Sequence, residues 1–193
     1  FTRRAYRFFT KIYTSGIDET ERFIAHHLVA PEVLITAADT RFDRIMAQVQ
    51  RAADNPVLPP SLFAPGDIVL AAGSTWEPDE DILLQAYDRL SEPHRSKLRL
   101  ILVPHEPNEN TVARLLARLP GSERLSIIET AIQLNTQPEF THIIVDSIGK
   151  LLRLYSHAHC AYIGGGFGVG VHSVTEPAGY GIPLACGPAI SKA

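Results

Sequence analysis

The sequence predicts an α/β protein with a Rossmann-like parallel sheet. Three observations carry that prediction. Apolar, β-rich runs alternate with segments of helical periodicity, and the connections between them are short. From Asp67 onward these runs come close enough together to supply five or six strands of one doubly wound domain. Four of the runs end on polar or glycine-rich turns, at Gly73-Ser74-Thr75, Pro104-His105-Glu106, Asp146-Ser147-Ile148-Gly149 and Gly164-Gly165-Gly166.

In chain order, Ile12–Thr14 is a short strand candidate, followed by a helix from about Glu19 to His27. Glu32–Thr36 reads as the next strand, and Asp39-Thr40-Arg41-Phe42-Asp43 as the start of a helix running to about Ala53. Asn55-Pro56-Val57-Leu58-Pro59-Pro60 is too rich in proline for an interior element and marks a linker or domain edge. Asp67–Ala72 has the character of a buried strand, and Glu77–Leu90 of a helix. Leu98–Val103 is a strand, Asn110–Leu119 a helix, and Ser126–Ile128 a further strand candidate. The remainder reads as strand Thr141–Val145, helix Lys150–Ser156, strand Cys160–Ile163, helix His172–Tyr180 and strand Pro183–Cys186. The domain boundary falls between residues 1–54 and 55–193. Phe1 at the start, and a core strand almost at the end, predict a fragment of a larger enzyme.

Hydrophobic residues make up 45% of the 193 and charged residues 20%, a balance that excludes wholesale disorder. A net charge of −3 gives no reason to expect a nucleic-acid partner. Cys160 and Cys186 lie in apolar runs and read as reduced core thiols. The basic, aromatic start, Arg3-Arg4-Ala5-Tyr6-Arg7-Phe8-Phe9-Thr10-Lys11, suits a helix packed on another domain or one lying on an anionic membrane surface; charge and aromatics alone do not separate the two.

Ligands of open α/β sheets sit beyond the C-terminal strand ends, so the four turns are the candidate site. Gly73, Ser74 and Thr75 offer a tight turn, hydroxyls and N–H groups for a phosphate or carboxylate, or simply a helix cap. Gly164–Gly170 carries five glycines but lacks the lysine of a P-loop. His105 fits a hydrogen bond to a sugar hydroxyl or an anion, or an ordinary surface position. His142, His157 and His159 read as packing or surface residues. Asp146 and Glu176 are compatible with catalysis or with binding, and binding is favoured. A carboxylate beside a phosphate is repulsive, so Glu176 better suits a ribose diol. No ligand set has zinc spacing, and Gly-x-Ser-x-Gly does not occur.

Four segments, in order, resemble the C-terminal half of the 3-deoxy-D-manno-octulosonic acid (Kdo) transferases, lipid A-modifying glycosyltransferases of Gram-negative bacteria. They are Ala38–Arg44, Gly73–Trp76, Asp146–Leu151, and Ala161–Gly166 through Glu176-Pro177 with Tyr180–Pro183. The resemblance implies the C-terminal domain of a GT-B enzyme that binds CMP-Kdo. The lipid A precursor and the general base would belong to the N-terminal domain, at the cytoplasmic face of the inner membrane. It implies donor contacts from the loop at His105, a frame for the nucleotide from Ser147, Ile148 and Gly149, and an approach of Gly164, Gly165 and Gly166 to phosphate or Kdo. Ser173 would join the donor contacts, and Glu176 would accept from the ribose hydroxyls. The donor has one phosphate and the chain no Asp-x-Asp pair, so no metal or other cofactor is expected. The chain departs from the common pattern where many relatives carry Pro-Arg-His in place of Pro104-His105-Glu106, histidine at Trp76 and asparagine at Ser173. The catalytic residues, the acceptor site, the number of Kdo units transferred, the membrane anchoring and the oligomeric state are not legible. A UDP-sugar transferase, an epimerase of the same fold, or a non-catalytic nucleotide-binding module remain as alternatives.

Overall fold

The computed structural model describes residues 2–6 and 8–190. The chain divides into two compact units, residues 1–47 and 48–193. In the first, helix α1 (Thr2–Tyr6) precedes strand β1 (Ile12–Thr14), helix α2 (Ile17–Ala25) and strand β2 (Leu34–Thr36). The two strands pair in parallel, Ile12 opposite Leu34 and Thr14 opposite Thr36. Helix α2 starts earlier than expected, beyond Gly16, where Glu19 accepts hydrogen bonds from the Ser15 N–H at 2.8 Å and hydroxyl at 2.9 Å. It also stops earlier, because His27 adopts a left-handed conformation with φ of 49°. Strand β2 is shortened because Pro31 opens a single 3₁₀ turn. Of the basic N-terminal stretch, Arg7 and the Arg3 side chain lie outside the described residues, and Tyr6 packs edge-on against Phe23.

Helix α3 (Thr40–Asp54) runs across the boundary between the units. Asp39 opens it by accepting from the Arg41 backbone N–H at 2.9 Å. The proline-rich stretch after it is tied down, since Leu58 is fully buried in the core of the second unit.

That unit holds a six-stranded parallel sheet. Strands β3 (Ile68–Thr75), β4 (Leu98–Pro104), β5 (Ser122–Arg124), β6 (His142–Ile144), β7 (Cys160–Ile163) and β8 (Leu184–Cys186) stand in the order β5-β6-β4-β3-β7-β8. Helices α4 (Glu77–Asp88), α5 (Glu92–Arg95), α6 (Glu109–Arg118), α7 (Leu125–Gln133), α8 (Leu151–Leu154) and α9 (Thr175–Gly179) connect them. The inner strands are apolar on both sides because both sides are covered. Val69, Ala71, Ile101, Val103, Ile143 and Ala161 meet Leu125, Ile128, Leu154 and Tyr155. Ala72, Leu100, Leu102, Ile144 and Tyr162 meet Leu84, Val112, Leu115 and Leu119. The chain passes from β3 to β4 on one side and returns through β7 on the other, so the topological switch falls at β3.

Four expectations are corrected. Ser126–Ile128 is not a strand but the first turn of α7; the strand is Ser122–Arg124. Leu125 and Ile128, three residues apart, bury one helical face, and Asp146 accepts from the Ser126 N–H and hydroxyl. The helix expected over His172–Tyr180 covers only Thr175–Gly179. An earlier start would require an N–H from Pro177, which has none. The helix expected over Lys150–Ser156 is α8 followed by a 3₁₀ turn, Tyr155–His157. Cys160 is half-buried and Cys186 exposed, because β8 is an edge strand with all three residues exposed.

Candidate functional site

Strand β3 ends irregularly. Its register with β4 shifts between Gly73 and Thr75, and Ser74 holds φ of 53°, unusual for a residue with a Cβ. The bulge lets the turn after β3 bond to both neighbours. His105 N–H donates to the Thr75 carbonyl at 2.8 Å, and Gly164 N–H to that of Gly73 at 2.9 Å. A Cβ at Gly164 would collide with the Ser74 carbonyl oxygen, so only glycine permits this approach of backbone to backbone.

One buried carboxylate locks the arrangement. Asp79, 1% exposed in the first turn of α4, accepts from the Tyr162 hydroxyl at 2.7 Å, Gly165 N–H at 2.8 Å and Trp76 N–H at 3.0 Å. It joins the start of α4, the end of β7 and the glycine cluster. The sequence reading assigned Asp79 no role. Its position at the third residue of a helix, with an acid-rich first turn, was the available signal.

Next to it Trp76 and His172 lie edge to edge, the indole N–H donating to His172 Nε2 at 3.0 Å. The His105 ring stacks on both, with centroids 4.6 Å away in each case. Nε2 of His172 must carry a lone pair to accept, so the neutral imidazole has its proton on Nδ1. Burial, and then His105, hold the His172 pKa below its usual value, partly offset by Asp79.

These elements enclose a cleft of about 360 Å³ at the C-terminal end of the sheet, over the switch point. Gly73, Ser74, His105, Ser147, Ile148, Gly149, Ser173 and Glu176 of the expected residues line it; Tyr155 and His172 join them. Gly164, Gly165, Gly166 and Thr75 do not. The three glycines are buried against the turn after β3, the loop at Gly170 and Gly187. The Thr75 hydroxyl donates to Glu80 at 2.9 Å. Asp146 is used in holding Ser126. Ile148, 83% exposed, stands at the rim as an apolar face. No lysine or arginine is among the described residues lining the cleft.

Glu176 is the acidic group there. It is half-buried, no hydrogen bond or cation of the described residues acts on it, and burial raises its pKa. Two phenols feel its charge, Tyr155 and Tyr180, whose pKa values are raised first by burial and then by Glu176. The hydroxyls of Tyr180 and Ser147 are buried without a partner among the described residues. Such a set can accept from and donate to a ligand's neutral hydroxyl groups. Three other histidines serve the fold: Nδ1 of His142 and of His159 accept from Leu100 and Val69 N–H groups, and His157 packs near Phe63. Among the described residues no group of His, Cys, Asp and Glu could hold a metal ion.

A doubly wound parallel sheet with a cleft of this kind defines a Rossmann-like domain of the GT-B C-terminal type. It shares its fold with the C-terminal CMP-Kdo binding domain of WaaA from Acinetobacter baumannii, at a TM-score of 0.51 and 18% identity over 76% of this chain and 72% of that one. The sequence is 32% identical over 124 residues to the 3-deoxy-D-manno-octulosonic acid transferase of Aquifex aeolicus. It is 34% identical over 127 residues to that of Chlamydophila psittaci. The match covers 64% of this chain in both cases, and 33% and 27% of the relatives. The chain therefore spans a third or less of the curated relatives it matches. No family model matches it. The sequence of this chain is thus similar to the Kdo transferases over about two thirds of its length, and its fold to that of a CMP-Kdo binding domain.

Proposed function

We propose that residues 55–193 are the CMP-Kdo-binding domain of an inverting glycosyltransferase, and that residues 1–54 end its acceptor-side domain. The whole enzyme transfers Kdo to a lipid A precursor at the cytoplasmic face of the inner membrane. CMP-Kdo already carries an activated anomeric carbon, so no covalent enzyme intermediate is needed. A general base on the acceptor side takes the proton of the lipid A hydroxyl. The freed oxygen attacks the anomeric carbon, and CMP leaves. Here the chain's own residues bind and orient the donor. Glu176 accepts from the ribose hydroxyls, and Ile148 covers the nucleotide at the rim. The Ser74 and Ser147 hydroxyls, with His105, His172 and Ser173, face the phosphate and the sugar. None of these steps uses a metal, since one phosphate leaves no diphosphate to clamp. No helix among the described residues is long and apolar enough to cross a membrane; membrane association is assigned to the enzyme as a whole.

Glu176 carries the reading. A carboxylate half-buried in a cleft with no protein donor is costly to the fold, and a ligand diol supplies what it lacks. The test is calorimetric titration of the protein with CMP and with UDP, on wild type and Glu176→Gln. Wild type should prefer CMP, and the variant should bind it about tenfold more weakly. Burial raises the Glu176 pKa, so folding favours its protonated form and loses stability as pH rises through the folded value. The neutral variant should accordingly melt at or above the wild-type temperature at pH 7. A preference for UDP, or an unchanged CMP affinity in the variant, would overturn the assignment.

A further inference from the structure

Glu176 has a counterpart on the floor of the cleft that the sequence did not single out. Tyr155 lines the cleft although only 2% of its surface is exposed. Its ring belongs to the core beside Leu125, Ile128 and Leu154, so it is held by packing and not by its hydroxyl. That hydroxyl forms no hydrogen bond among the described residues; burial and the charge of Glu176 are what act on it. Its direction is nevertheless fixed. It lies against Gly73 at the switch point, where a Cβ would collide with the hydroxyl oxygen and stand 2.9 Å from the Leu151 methyls. Folding thus places a phenol O–H without a partner among the described residues at the end of β3, open to the cleft and within the field of the Glu176 carboxylate. Packing alone does not require the hydroxyl, since phenylalanine would fill the same space.

We infer that Tyr155 is a second ribose-reading residue, resting on the nucleotide-sugar reading of the cleft. The carboxylate accepts from the diol and the phenol donates to one of its oxygens. An ionised carboxylate accepts only, whereas a tyrosine hydroxyl can donate and accept. A vicinal diol offers two hydroxyls, each able to do both. Phosphate does not fit between them, because its charge would meet that of Glu176. The pair makes the cleft selective for a nucleotide with an intact ribose diol, and Gly73 is the position that lets the phenol reach it.

The experiment titrates the protein with CMP and with 2′,3′-dideoxycytidine monophosphate, for wild type, Tyr155→Phe and Glu176→Gln, with melting temperatures alongside. Wild type should bind the dideoxy ligand at least about tenfold more weakly than CMP. Tyr155→Phe should keep the wild-type melting temperature, bind CMP about five- to tenfold more weakly, and leave the dideoxy affinity nearly unchanged. Glu176→Gln should lose the same discrimination. If wild type does not bind CMP, the nucleotide reading falls and takes this inference with it. If wild type binds CMP but Tyr155→Phe binds both ligands as wild type does, or loses equal affinity for both, Tyr155 does not read the diol while the nucleotide reading stands.

Discussion

Replacing Asp79 tests whether the cleft is built before any ligand arrives. Its carboxylate accepts three hydrogen bonds, from Tyr162, Gly165 and Trp76, and is 1% exposed. Asp79→Ala strands all three donors. An unsatisfied buried donor costs about 1–3 kcal/mol. Removing the carboxylate also removes a desolvated charge, and Trp76 N–H, half-buried, regains some water. About 4 kcal/mol is therefore expected, a large part of the roughly 5–15 kcal/mol that holds a domain together. Asp79→Asn keeps the shape. Its carbonyl oxygen can serve both backbone N–H groups while its amide faces the Tyr162 hydroxyl, which turns to accept. The loss should be about 1–2 kcal/mol, mostly that of charge-assisted bonds and of the acid at the start of α4. Urea unfolding read by tryptophan emission is the assay, because Trp76 is the only tryptophan and adjoins the lock. Asp79→Ala within about 1 kcal/mol of wild type would refute the reasoning, and so would equal losses in the two variants.

Three further outcomes are expected. His142 is 0% exposed, accepts from Leu100 N–H at 3.1 Å, and has its pKa lowered from 6.5 to about 4 by burial and then by Arg99. The unfolded chain takes up that proton first, so stability should fall by about 3 kcal/mol between pH 6.5 and 4. His142→Asn should flatten this slope in urea titrations across pH, and an unchanged slope would count against it. Trp76 donates to Nε2 of His172, so protonating the imidazole should break the bond and lower the emission, with a midpoint below the usual histidine value. A midpoint above it would refute the tautomer assigned here. CMP affinity should be the same in excess EDTA as in magnesium, and a loss restored by magnesium would overturn the metal-free reading.

Fold class was legible because two-sided burial writes itself into sequence. Strands such as Leu98–Pro104 and Cys160–Ile163 are apolar throughout, and the turns after them are polar. Strand β5 was not legible, since Ser-Glu-Arg carries no apolar run, and its place at the sheet edge needs none. Ser126–Ile128 misled for the opposite reason. Three residues are too few to separate the spacing of a buried helix face from a strand, and the capping acid, Asp146, is 20 residues distant. The start of α9 is set by Pro177, which cannot donate to a helix that begins earlier, and not by the apolar spacing.

At the site, residue type was legible and partnership was not. The sequence shows acids at Asp79, Glu80, Asp146 and Glu176 without distinguishing them. The structure does, by accounting for their hydrogen bonds. Asp79 spends its oxygens on three donors, Glu80 on Thr75 and Arg114, and Asp146 on Ser126, so these hold the fold. Glu176 spends none on the described residues. Gly164 and Gly166 pack against the backbone of Ser74 and Gly187, where a Cβ would collide. Tyr155 belongs to both core and cleft, because its ring packs in the core while its hydroxyl has no partner among the described residues. A polar group that folding positions and leaves unpaired keeps its binding capacity for something outside the chain. The cleft is where Glu176, Tyr155 and Ser147 come together in that condition.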